Sequence, residues 1–297
     1  MRVDVYTPLL LSLLLPVVSP AIGRWVAPAL AARVLASAAV LTAAATTWSL
    51  VLLVTALVGS APPLAAEARA DGQRLADPVP EAIGVAACAA LAVVVWRVYH
   101  AVRAERATRR VMRQLREGHP ADTELIVAAS PVPQAFAVPG RPGRILVTSA
   151  MLGALEPAER RVLLAHERAH LAHRHGALVT AVALAAAADP FLAPTCRAVA
   201  FLVERWADEQ AATAVGDRGA AARALARAAL TTCRSRPQRA LGFTDRAVTR
   251  RIAALQTAPP PSLWSVALAV LALGAVSAWC AADATNDLFA LLENVLF

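Results

Sequence analysis

RRVLLAHERAHLAHRH, residues 160–175, decides the reading of this chain. Within it His166, Glu167 and His170 form an H-E-x-x-H pentapeptide. Residues i and i+4 lie on one face of a helix, so both imidazoles reach one metal ion. Glu167, beside the first histidine, sits where a general base for a metal-held water is needed. The flanks predict the helix. Glu156, Pro157 and Glu159 mark a start, and Val162, Leu163, Leu164 and Ala165 lead into the motif.

A second segment, VERWADEQAA at 203–212, supplies what the pentapeptide lacks. Zinc hydrolases need three protein ligands and one open position. Glu204 is the candidate third ligand. Asp208, one turn later on the same face, is placed to orient a ligand imidazole. A scheme with a third histidine six residues after the second fails, because position 176 is glycine and the nearer histidine is His173. A plain solvated acidic patch is the competing reading of Glu204, Asp208 and Glu209, and the upstream motif outweighs it. His173 and His175 are expected to be a polar, basic continuation of the motif helix.

Composition sets the environment. Of 297 residues, 58% are hydrophobic and 17% charged, against roughly 25% charged in a soluble domain. Mean hydropathy is +0.54. The chain reads as a membrane protein with room for several spans and one modest domain. Net charge is +8, and all 29 basic residues are arginine. With the alanine abundance, this reflects genomic GC bias and membrane topology, and no nucleic-acid partner is needed to explain it. Cys88, Cys196, Cys233 and Cys280 are scattered, with neither a disulfide framework nor a cysteine metal site.

Four spans are expected, at 6–22, 34–58, 82–98 and 263–282. The first holds Pro8, Pro16 and Pro20 and should be short and kinked. The last runs twenty residues without a charge, enough for a hydrocarbon core of about 30 Å. Trp25, Trp96, Trp264 and Trp279 fall near span ends. Arg97, Arg103, Arg106, Arg109, Arg110, Arg113 and Arg116 follow the third span. The loop before it, 59–81, balances Arg69 and Arg74 with Glu67, Asp71 and Asp77. The positive-inside rule then puts the segment between the third and fourth spans in the cytoplasm of a multi-pass cell-membrane protein. The expected division is a three-span region 1–100, a cytoplasmic domain 101–261, a fourth span 262–282 and a short extracytoplasmic tail 283–297.

The fold class expected is mainly α: about four transmembrane helices and a cytoplasmic α+β zincin-like domain with a small β-hairpin. Residues 97–117 read as a basic amphipathic helix lying along or leaving the membrane surface. Residues 124–130, 134–138 and 144–148 read as strands. Gln134, Ala135, Phe136 and Ala137 form a strand beside the metal helix, a natural dock for an extended peptide. The apolar stretch 177–203 carries Asp189, Pro190, Pro194 and Arg197. Two helices that bury the site and touch the membrane are expected there, with a re-entrant or spanning hairpin as the alternative.

The run 134–175 followed by ERWAD at 204–208 resembles the integral-membrane gluzincin peptidases. Two branches are close: the BlaR/MecR-type family, and the HtpX and CAAX-prenyl-protease branch. Three spans before the domain and one after it favour the BlaR/MecR-type layout, without its penicillin-binding sensor domain. The resemblance implies Zn2+ held by His166, His170 and Glu204, Glu167 as base and Asp208 as orienting acid. It implies a protein or peptide substrate, a cytoplasmic winged-helix repressor in the signalling branch, and membrane-protein quality control in the other. A non-proteolytic zinc-binding adaptor fits less well, since a structural site needs no Glu167. Gluzincins usually add a Tyr, His or Arg to hold the developing oxyanion. Tyr6 and Tyr99 lie in or beside spans; an arginine such as Arg246 or Arg250 could serve, and the sequence does not choose the residue.

Overall fold

The computed structural model describes residues 5–59, 80–120, 122–234 and 241–296, with side chains except at 59, 234, 241–245 and 287–296. The first apolar stretch breaks into α1 (Thr7–Leu11) and α2 (Leu14–Trp25), as its prolines require. Then come α3 (Pro28–Gly59), α4 (Glu81–Gln114) and, at the far end, α11 (Trp264–Leu296). Four helical segments here are long and apolar enough to cross a membrane: Thr7–Trp25, Pro28–Val58, Glu81–Gln114 and Trp264–Asn286. Trp25, Trp96, Trp264 and Trp279 are all exposed on the outside of this bundle, as interfacial anchors are.

Two helices run on past the expected span ends. The third span and the basic helix after it are one 34-residue helix, about 51 Å long at 1.5 Å per residue. No glycine or proline occurs between Val85 and Glu117 to interrupt it. The segment expected as a tail after the fourth span likewise continues α11 to Leu296. The near-neutral loop before α4 lies mostly outside the described residues.

α3 is the axis, packed by α1, α2, α4 and α11. It approaches α4 closely because Gly84 has no side chain. A Cβ there would lie 2.6 Å from Leu57 Cβ, and such small-residue contacts are how membrane helices pack.

β1 (Leu125–Ala128), β2 (Ala135–Val138) and β3 (Arg144–Thr148) make a sheet of order β1-β3-β2. β2 and β3 are the expected hairpin, and β1 joins β3 in parallel. β3 is buried throughout. The Arg144 guanidinium donates to the carbonyls of Arg116 (2.8 Å), His119 (3.2 Å) and Pro120 (2.6 Å). One buried arginine thus fastens the end of α4 to the sheet.

After α5 (Ser149–Ala154) comes α6 (Pro157–Ala172), the motif helix. The stretch 177–203 forms α7 (His175–Ala188), a 3-10 turn (Pro190–Leu192) and the start of α8 (Ala193–Val215). At the turn, Asp189 accepts a hydrogen bond from the Phe191 N–H (3.1 Å) and lies against Ser12 and Thr46. Arg97 donates to the carbonyls of Ala186 (3.3 Å) and Ala187 (2.9 Å), closing the end of α7. Ile22, Leu35, Val182, Leu192, Val199, Leu202 and Trp206 share one buried cluster. The core under the site is therefore continuous with the core of the apolar bundle. α9 (Arg218–Arg234) and α10 (Leu241–Leu255) cover the other side.

Candidate metal centre

α6 starts where its sequence says. Glu156 and Glu159 form a capping box, with the Glu159 carboxylate 2.9 Å from the Glu156 N–H. Arg227 of α9 pairs with both, at 2.9 and 3.1 Å. This fixes the helix from which His166, Glu167 and His170 project.

α8 crosses α6 and brings Glu204 to the two imidazoles. His166 Nε2 is 3.0 Å from His170 Nε2. Each of these nitrogens is 3.6 Å from a different Glu204 oxygen. Ligands about 2.0–2.1 Å from a tetrahedral zinc stand about 3.3 Å apart. The two nitrogens and the two carboxylate oxygens lie close to that spacing, so two imidazoles and one carboxylate can hold zinc and leave a position open. Among the described residues this is the one His/Cys/Asp/Glu group of such spacing.

The residues around the ligands hold them. Asp208 Oδ1 lies 3.1 Å from His166 Nδ1, the contact expected of an orienting acid. Asp208 also takes a two-pronged bond from Arg251 of α10, at 2.7 Å for each prong. Arg251 Nη1 reaches Glu204 Oε2 at 3.0 Å. The sequence reading pointed to its neighbours. Arg246 is exposed, and Arg250 is stacked 4.5 Å over the Phe201 ring. Neither lines the cavity at the centre, whereas Arg251 does.

His173 and His175 do not extend the motif helix. α6 ends at Ala172, Arg174 takes a left-handed conformation (φ 52°), and α7 departs at 58°. On an unbroken helix, position i+5 would lie about 140° away from His170. The break reverses this. His175 is 1% exposed, and its Nδ1 is 3.0 Å from His170 Nδ1. The His173 ring stacks on Trp206, with centroids 4.6 Å apart. No periodic signal marks Arg251 or His175, because both reach the site through tertiary packing.

Charge at the centre is uneven. Burial pushes the His166 imidazole down, but hydrogen bonds to Asp208 and Glu204 outweigh it and raise its pKa to about 10. His170, buried and facing that charge, falls to about 4. Burial would raise the Glu204 carboxylate, yet His166 and Arg251 hold it well below its usual range. Glu167 is 7% exposed, and burial pushes its carboxyl up, opposed by His166 and by the Ala137 N–H that donates to it.

That last bond positions β2. Gln134 exchanges bonds with Thr148 of β3. By antiparallel alternation Phe136 and Val138 also face β3, and Ala135 and Ala137 turn their backbone groups outward. Of the four expected peptide-contacting residues, two therefore offer backbone, while Gln134 and Phe136 line the cavity. The cavity holds about 420 Å³, and its apolar wall includes Met151, Val162, Leu163, Leu225 and Ala228.

Over residues 101–262 the chain matches the model of peptidase family M48. It belongs to that family. M48 membership implies a zinc metallopeptidase, and the His166, His170 and Glu204 cluster lies inside the matched region. Together with the four apolar helices, it makes the chain a membrane-associated M48 metallopeptidase. No curated protein and no solved structure matches the chain.

Proposed function

We propose that this protein is a zinc-dependent endopeptidase that cleaves protein substrates at the cytoplasmic surface of the cell membrane. The observation that carries the reading is the clustering of His166, His170 and Glu204 at metal-ligand spacing, with the neighbouring Glu167 tied to the β2 edge by the Ala137 N–H. A bound zinc ion would acidify a water molecule and polarise the scissile carbonyl. Glu167 accepts the proton and returns it to the leaving amine, a task suited to a buried carboxylate with a raised pKa. An extended substrate lies along β2, where the Ala135 N–H and C=O and the Ala137 C=O point outward. An apolar side chain next to the scissile bond enters the alanine- and leucine-lined cavity. Arg251 keeps Asp208 and Glu204 charged and aimed.

Regulated cleavage of a cytoplasmic winged-helix repressor rests on the BlaR/MecR-type resemblance alone. A specific observation favours the HtpX-like reading, quality control of membrane proteins. α8, which carries Glu204, packs into the same core as the apolar bundle, and this ties the centre to the membrane-crossing helices rather than to a free domain. Comparison of membrane and soluble proteomes with wild type and with Glu167→Gln separates the two. Accumulating membrane substrates support quality control, and one accumulating soluble repressor supports signalling. The purified Glu167→Gln protein should keep zinc and lose cleavage of any substrate so found; wild-type cleavage rejects the proposal.

A further inference from the structure

A histidine bound to zinc through Nε2 carries its proton on Nδ1, and that N–H needs an acceptor to fix the ring. His166 has one in Asp208, at 3.1 Å. For His170 no carboxylate fills this place. The atom there is His175 Nδ1, at 3.0 Å. We propose that His175 is the positioning residue for His170, accepting its Nδ1–H and so fixing the tautomer and ring plane that present Nε2 to the metal. The inference rests on the assignment of His170 as a zinc ligand.

Several features agree. The left-handed Arg174 turns His175 inward from a position that a continuous helix would face away. The His175 ring is wedged against Trp206, centroids 4.4 Å apart, and the Arg33 guanidinium covers Trp206 at 4.4 Å. A chain of stacked groups therefore runs from α3 of the apolar bundle to the metal ligand. His175 Nε2 has no hydrogen-bond partner although it is buried. If Nδ1 accepts from His170, the His175 proton sits on Nε2, a buried donor left without a partner. Nδ1 is thus the one polar side-chain atom of this buried ring with a hydrogen-bond partner. The choice of an imidazole is also sensible electrostatically. Glu167, Glu204 and Asp208 already bring three carboxylates to the centre, and a neutral acceptor orients His170 without adding a fourth.

Three variants of the full-length protein test this in detergent, by zinc affinity against a chromophoric chelator. His175→Phe keeps the ring packing on Trp206 and removes the acceptor. His175→Asn keeps an acceptor oxygen near the Nδ1 position and removes the ring. His175→Ala removes both. Loss of the acceptor should weaken zinc binding by about 10–100-fold, as such outer contacts do. The expected order is wild type, then Asn, then Phe and Ala together, with thermal melting of the metal-free Phe variant close to wild type. A Phe variant that binds zinc like wild type overturns the proposal. So does an Asn variant no better than Ala, which carries the test if Phe does not fold. His170→Ala is the control for the underlying reading. If it binds zinc normally, the ligand assignment fails; if it loses zinc while His175→Phe does not, only the positioning role fails.

Discussion

Removing Arg251 probes the electrostatic design of the centre most directly. Its guanidinium is 12% exposed, binds Asp208 through two 2.7 Å contacts and touches Glu204 at 3.0 Å. Arg251→Met keeps most of the volume and deletes the charge. Asp208, 7% exposed, then keeps His166 as its hydrogen-bonded cation and loses its strongest partner beside the Glu204 carboxylate. Breaking a buried pair in this way costs about 3–5 kcal/mol. At about 2–4 °C per kcal/mol for a domain of this order, the metal-free protein should melt about 6–20 °C lower. Zinc supplies positive charge to the same carboxylates, so the loss should shrink in the zinc-loaded protein. Arg251→Lys should fall between, because an ammonium cannot reproduce a two-pronged contact. The assay is thermal unfolding in detergent, with and without saturating zinc. Metal-free Arg251→Met melting within about 2 °C of wild type would refute the reasoning, since it would mean the pair adds almost nothing.

Other outcomes follow from the same geometry. Glu204→Ala should abolish tight zinc binding, because two remaining imidazoles do not hold the metal firmly; retention of one zinc per chain would remove Glu204 from the ligand set. In the metal-free protein His166 is raised from a histidine's usual 6.5 to about 10. The stabilisation from its charged form is fully present below pH 6.5 and is lost as pH rises through about 10. Zinc must expel that proton, so affinity should climb about tenfold per pH unit across this window, and a flat profile from roughly pH 7 to 9 is incompatible with it. Topology is tested by labelling with an impermeant thiol reagent in a background lacking the four native cysteines. Asp71→Cys should react in intact cells and Gly219→Cys only after the membrane is opened, and reaction of Gly219→Cys from outside would place the centre on the other face.

Much of the centre was legible in the primary structure because it depends on local periodicity. His166 and His170 share a helix face by spacing alone, and Asp208 follows Glu204 by one turn for the same reason. The four apolar stretches and the β2–β3 hairpin were equally readable, since hydropathy and turn residues act over short range. Helix ends were not readable where nothing local marked them. A change from apolar to arginine-rich side chains at Arg97 alters the solvent a helix prefers, not its backbone, so α4 runs straight through. His175 was misjudged for the opposite reason: a single left-handed residue, Arg174, invalidated the helical phase used to place it.

The sequence by itself determined the metal chemistry and the membrane character. The first needs particular side chains at a helical repeat, and the second needs apolar runs of sufficient length; both are properties of short segments. Only the tertiary structure decided what holds the centre in shape. Arg251 lies 43 residues from Asp208, the Ala137 N–H comes to Glu167 from a separate strand, and Trp206 touches both His175 and the Arg33 of a bundle helix. Such contacts are set by how α6, α8 and α10 cross and by the core that α8 shares with α3. Packing over distances along the chain that no periodicity encodes turned a five-residue motif into an oriented site.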